Sequence, residues 1–114
     1  PGEADRLAER LAGYRFFADG DGRMNRSALE VGAACLVVSQ FTLAAASRPG
    51  GGRRPSFERA APAALAGPLC ERFAARLEAL GLVTARGRFG AKMQLELLND
   101  GPVTFVLDQD PEPK

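Results

Sequence analysis

The sequence predicts an α+β fold, a mixed, largely antiparallel β-sheet or open barrel with two main helices, in one domain over residues 1–114. Three observations predict it. Apolar residues recur at helical spacing in two windows, 3–12 and 62–80. Strand-like runs and alternations occupy residues 34–41, 93–97 and 103–107. Gly-, Pro- and Asp-rich turns separate these windows. With 114 residues the chain suffices for one hydrophobic core and is too short for two.

In the first helix Ala4, Leu7, Ala8 and Leu11 share one face. Glu3 and Asp5 lie in its first turn, where acidic groups suit the helix dipole, and Gly13 is a natural stop. Tyr14-Arg15-Phe16-Phe17 reads as a short strand, and Asp19-Gly20-Asp21-Gly22 as a turn rather than a calcium loop, whose downstream ligands are missing. Ser27 is placed to cap one helical turn through Ala28-Leu29-Glu30. The most strand-like run, Cys35-Leu36-Val37-Val38, ends in the polar cluster Ser39-Gln40-Phe41-Thr42. A loop over residues 44–56 carries three consecutive glycines and three arginines, and residues 57–60 read as one helical turn. In the second helix Leu65, Leu69, Phe73, Leu77 and Leu80 form one stripe, and Gly81 ends it. Pro68 either marks the true start of that helix or kinks it. Residues 83–89, 93–97 and 103–107 then read as strands, the last two joined by the turn Asn99-Asp100-Gly101-Pro102.

Composition narrows the functions. A net charge of +1, from 15 basic and 14 acidic residues, gives no global field for nucleic acid, so any such contact needs a local patch. The chain has no histidine, which removes histidine triads, histidine metal sites and the usual base near neutral pH. Cys35 and Cys70 are far apart in apolar runs and read as buried free thiols, in keeping with a reducing cytosol. No metal or cofactor is expected. No apolar run reaches the ~18 residues of a transmembrane helix, and no basic-then-apolar leader opens the chain. The start, Pro1-Gly2-Glu3 without methionine, reads as part of something longer or as a trimmed form.

Residue chemistry leaves alternatives open. Ser39, Gln40 and Thr42 are either a strand end whose hydroxyls satisfy local backbone or a pocket wall. Neither hydroxyl has an evident activating base. Gly101-Pro102 is either a plain turn or a fixed projection of backbone, since X-Pro bonds are the common sites of cis peptides. Arg48, Arg53 and Arg54 belong to a solvated loop or to a phosphate-contacting flap, to which Lys92 adds. Phe89, within Gly87-Arg88-Phe89-Gly90-Ala91, is either core or a stacking group.

The combined motifs resemble the bacterial D-aminoacyl-tRNA deacylases. They are Gly13-Tyr14-Arg15-x-Phe17, Met24-Asn25, Val37-Val38-Ser39-Gln40-Phe41-Thr42-Leu43 and Arg54-Pro55-Ser56-Phe57. Gly87-Arg88-Phe89-Gly90-Ala91-x-Met93-Gln94 and Asn99-Asp100-Gly101-Pro102-Val103-Thr104-Phe105 follow in the family's order, over almost the whole chain. The resemblance implies a cytoplasmic homodimer that hydrolyses the ester between a D-amino acid, or mischarged glycine, and the 3′-terminal adenosine of tRNA. It implies that Ser39, Gln40, Phe41 and Thr42 form the pocket holding the ester. Phe89 and Met93 stand at the substrate, and a cis Gly101-Pro102 enters the partner subunit's pocket to exclude L side chains. Arg48, Arg53, Arg54 and Lys92 are the expected tRNA contacts. Thr42 matches a threonine proposed as nucleophile in the family; the competing view gives that assistance to the substrate's own 2′-hydroxyl. The latter fits a chain without histidine better, because positioning and backbone N–H donors need no titrating group. Against the family pattern, two strands ahead of the first helix are absent, which leaves an expected open sheet edge. The place of Ala46 is acidic in many members, and the Pro49-Gly50-Gly51-Gly52 loop is longer. The alternative functions are a non-catalytic tRNA binder and a generic esterase acylated on Thr42 or Ser39.

Overall fold

The computed structural model describes residues 2–45 and 52–110. Helix α1 runs Gly2–Gly13 and helix α3 Ala63–Ala79; between them lies the single turn α2, Ala28–Val31. α1 packs on α3 through small side chains, with Ala8, Ala12 and Ala74 each at most 1% exposed. Alanine at these positions lets the two backbones approach, and Leu77, 1% exposed, fills the space between them and α2. Across the same seam Arg72 donates to both carboxylate oxygens of Asp5 at 3.0 and 2.8 Å, and Arg76 to Glu9 at 2.7 Å.

Helix α3 is unbroken through Pro68. Proline removes one backbone donor, but Pro68 and the Ala64 carbonyl residue it leaves are both exposed, so water takes that acceptor. The helix ends where Gly81 adopts φ +108°, a conformation open to glycine. There the Leu82 amide donates to Leu77 O at 3.1 Å and the Gly81 amide to Glu78 O at 3.0 Å, a Schellman closure. This turn delivers Leu82, 3% exposed, into the core and starts the next strand.

Strands β1 (Phe17–Ala18) and β2 (Met24–Arg26) form an antiparallel pair, and β3 (Ala34–Val37) and β4 (Val83–Arg86) a parallel one. The α+β class and the open sheet are as expected. In β3, Cys35 and Val37 are half-buried against the helices while Ala34 and Leu36 face outward. The expected Ser27 cap forms: its Oγ accepts from the Glu30 amide at 3.1 Å and the Glu30 side chain accepts from the Ser27 amide at 3.3 Å. The Asp19 turn also forms. Amides of Arg23 and Asp21 donate to the Asp19 carboxylate, which holds its pKa below the ordinary value.

Several boundaries differ from the sequence reading. The run 34–41 keeps its ladder only to Val37, and Phe41–Ala44 is a 3-10 turn. The strand at 83–89 stops at Arg86, and residues 57–60 form one hydrogen-bonded turn, Ala60 N to Phe57 O at 3.0 Å, instead of a helix. Residues 14–16 are not strand; Tyr14 and Phe16 pack on Phe105 with ring centroids 6.0 and 5.2 Å away. Residues 93–97 and 103–107 carry no ladder among the described residues. Alternation says which side chains share a face, whereas a ladder needs a partner strand. Leu95, Leu97 and Val103 are accordingly about 60% exposed. Arg10 ties this segment to α1 by donating to Asp108 O and Gln109 Oε1. Cys35 and Cys70 are free, as expected, but half-buried instead of buried. Among the described residues no helix is long and apolar enough to cross a membrane.

Candidate active site

The parallel ladder places the site. Gly87 N donates to Val37 O at 2.8 Å, which carries the β3–β4 pairing one residue past the ladder. Both chains then diverge: β3 leads to Ser39 and Gln40, β4 to Phe89. Side chains are thereby delivered to one edge of the sheet, above the first half of α3. A cleft of about 770 Å³ opens there, lined by Ser39, Gln40, Phe41 and Leu43 on one side. Leu69, Cys70, Phe89 and Met93 line the other. A smaller cavity of about 140 Å³ adjoins it behind Ser39, Cys70 and Phe89.

The polar groups of the cleft are few. Ser39 is half-buried and borders both spaces. Gln40 Nε2 donates to Thr42 Oγ1 at 2.6 Å, which sets the direction of the Gln40 amide. The 3-10 turn begins with Leu43 N on Gln40 O at 3.3 Å, so the amides of Phe41 and Thr42 precede its first bond and stay available as donors. Phe41 packs edge-on against Phe57, with centroids 4.9 Å apart and planes at 65°. Phe89 lies on α3 at Gly67, where a Cβ would stand 3.5 Å from its ring. Any side chain longer than alanine there would push the ring into the cleft. Met93 Sδ accepts from the Arg88 amide at 3.3 Å, which folds the 88–93 segment back on itself.

Of the residues singled out in the sequence, Ser39, Gln40, Phe41, Phe89 and Met93 meet around this cleft. Thr42 does not line it and serves as acceptor for Gln40. Gly101 and Pro102, joined by a cis peptide, are exposed and line neither space. Arg53, Arg54 and Lys92 are exposed outside the lining, although Lys92 sits between lining residues Ala91 and Met93. Arg48 lies outside the described residues. Leu69, Cys70 and Arg59 are among the lining residues that the sequence reading leaves out of the site. Leu69 belongs to the stripe assigned to the core, Cys70 was read as a buried thiol, and Arg59 follows the basic window closely enough to have been included with it. Burial raises the Cys70 pKa, with a smaller push from Glu71 and a small opposing pull from Arg86, so the thiol stays protonated. Among the described residues no group of three or more His, Cys, Asp or Glu side chains could hold a metal ion.

An amide, a hydroxyl and aromatic faces around one cleft are groups that can orient a ligand, and free backbone N–H donors are groups that can meet a negative charge. Comparison with known proteins identifies its lineage. A family model described as D-Tyr-tRNA(Tyr) deacylase matches residues 1–108. D-aminoacyl-tRNA deacylases of Roseiflexus castenholzii and Ruegeria pomeroyi are 57% and 55% identical over 106 residues, each covering 93% of this chain. The chain spans 66% and 72% of those relatives. A solved structure, c-Myc DNA Unwinding Element Binding Protein, superposes with a TM-score of 0.75 at 30% identity, covering 90% of this chain and 68% of that one. With the match running from α1 past the 103–107 segment, the chain belongs to the D-Tyr-tRNA(Tyr) deacylase family.

Proposed function

We propose that the chain acts as a D-aminoacyl-tRNA deacylase. Water adds to the ester carbonyl, the bond to the ribose oxygen breaks, and the D-amino acid and tRNA with its free 3′-terminal adenosine are released. The observation that carries this reading is the cleft at the end of β3, where Ser39 and Gln40 face Phe89 and Met93. The cleft's volume suits an aminoacyl nucleoside, and its aromatic and thioether walls suit a base or side chain.

The chemistry follows from positioning. Gln40, steadied by Thr42, and the Ser39 hydroxyl hold the ester. The amides of Phe41 and Thr42 face the oxygen on which negative charge builds. Thr42 is poorly suited as nucleophile: its hydroxyl oxygen is engaged by Gln40, and the chain has no histidine to take its proton. The ribose 2′-hydroxyl of the substrate supplies the assistance instead. Handedness comes from Gly101-Pro102 of a second copy in a homodimer. Supporting this, the pair is exposed and lies away from the cleft of its own chain. A backbone wall rejects an L side chain whatever its chemistry and leaves glycine unopposed. A tRNA substrate puts the activity in the cytoplasm.

The test is deacylation of D-tyrosyl-tRNA, glycyl-tRNA and L-tyrosyl-tRNA side by side. The first two are expected to be cleaved and the third spared. Salt-sensitive tRNA binding without cleavage would replace this reading with that of a non-catalytic binder. An acyl group trapped on Thr42 or Ser39 would replace it with that of a generic esterase. Mixing a Gln40→Ala copy with a Gly101→Val copy should restore activity if the Gly-Pro pair works across the dimer. No restoration would return that role to its own chain.

A further inference from the structure

Arg59 is the one charged residue lining the cleft among the described residues. It also lacks an ion pair or hydrogen bond among them, unlike Arg72, Arg76 and Arg86, each of which meets a carboxylate. Its place is fixed from both sides in the chain. Two residues before it, Phe57 packs edge-on against Phe41 of the 3-10 turn, and the bond from Ala60 N to Phe57 O closes the turn that carries it. The same aromatic contact therefore anchors both Gln40's neighbour and the unpaired guanidinium. A guanidinium left unpaired at the rim of an apolar cleft suits an oxyanion such as a phosphate, which it grips through two parallel N–H groups. The remaining lining carries no other charge, so an anionic end of the ligand lies beside Arg59.

We propose that Arg59 binds the 5′-phosphate of the nucleotide whose nucleoside occupies the cleft, which makes the site a nucleotide site and not merely a nucleoside site. This rests on the deacylase reading for the ligand's identity. For tRNA the group is the phosphodiester that joins the terminal adenosine to the nucleotide before it. Arg59 thus reads strand continuity, and a free aminoacyl nucleoside is held less tightly than the same group on RNA.

Equilibrium binding tests this without depending on ester cleavage. Adenosine and adenosine 5′-monophosphate are titrated into the wild-type protein, Arg59→Gln and Arg59→Lys, with thermal melts confirming that each variant folds. The wild type is expected to bind the monophosphate about 10-fold more tightly than adenosine, as one charge-assisted contact suggests. Arg59→Gln should abolish that difference while leaving adenosine binding in place, and Arg59→Lys should restore part of it. With a tRNA 3′ end, Arg59→Gln should lower the salt slope by about 0.7, one phosphate on a single strand. Equal wild-type affinity for the two ligands, no binding of either, or the same loss for both in Arg59→Gln would overturn the proposal. Failure of the deacylation assay alongside monophosphate-selective binding would remove the deacylase reading and leave Arg59's role standing.

Discussion

Along α3, Arg72 and Arg76 meet α1 while Ala63, Ala66, Leu69 and Cys70 border the cleft, and the two halves treat similar side chains differently. In the C-terminal half Ala74 and Leu77 are sealed, and Arg72 and Arg76 are spent on Asp5 and Glu9. In the N-terminal half Ala63, Ala66 and Leu69 form a wall of open space. Arg53, Arg54, Arg59, Arg88 and Lys92 have no carboxylate partner among the described residues, and of these Arg59 lines the cleft. Where the chain needs a core it pairs its charges across the seam. Around the cleft it leaves apolar surface and the Arg59 charge uncommitted. An almost neutral total therefore leaves one uncommitted cation, Arg59, in the cleft lining among the described residues.

The largest expected effect breaks that comparison at its strongest point. Leu77→Ala empties the centre of the α1–α2–α3 core and should cost about 2–5 kcal/mol in urea unfolding. Leu69→Ala, the same change two turns earlier on a cleft-facing site, should cost clearly less and weaken nucleotide binding instead. Equal losses of stability at the two sites would mean that the halves are not distinct.

Next in size is chemistry at the cleft. Gln40→Ala removes an amide that the 2.6 Å bond to Thr42 holds in place, and is expected to lower kcat about 10²-fold, as loss of one preorganised donor does. Thr42→Val keeps the shape and loses only the acceptor that steadies Gln40, so kcat should fall by about 10-fold. If Thr42→Val abolished turnover and Gln40→Ala did not, the threonine would be the nucleophile after all.

A smaller effect belongs to the support beneath the core. Ser27→Ala removes the Oγ that accepts from the Glu30 amide, leaving only the backbone half of the capping box before Ala28, and should cost about 1 kcal/mol by thermal or urea melting, with nucleotide binding unchanged. A cost near zero would show that packing alone holds α2.

These cases also mark how far the sequence is legible. Local features are readable because their causes are local. The Ser27 cap, the Asp19 turn and the Gly81 stop each follow from residues within a few positions. The convergence of Ser39, Gln40 and Phe89 was legible only through the family resemblance, since no spacing rule links residues fifty apart. Strand ends were not legible. Val38 continues the apolar run of β3, yet the ladder stops at Val37 because β4 turns away after Arg86. Leu95, Leu97 and Val103 alternate as well as any strand, and a pattern of faces cannot supply the backbone partner that pairing requires. Leu69 shares a stripe with Leu77, and periodicity cannot tell a core from a cleft wall.

The finest test concerns the seam's own charges. Asp5 is held below the ordinary carboxylate pKa by its hydrogen bonds from Arg72, with burial opposing and the positive charges of Arg72 and Arg76 assisting to a lesser degree. A depressed folded-state pKa stabilises the fold above the unfolded value, about 3.9 for aspartate. That contribution disappears as pH falls through the folded value. The wild type should thus melt slightly above Asp5→Asn at neutral pH, with the gap constant from pH 6 to 8 and closing below about pH 4. Asp19 and Glu3 are also depressed and give the wild type further acid sensitivity. Only the difference between the two proteins isolates Asp5. Arg72→Gln should reproduce the same closing gap, and the double variant should add little to either single change, since both remove one interaction. A gap that persisted unchanged at pH 3 would mean that Asp5 acts through packing on α1, and the contrast between paired and unpaired arginines would lose its electrostatic meaning.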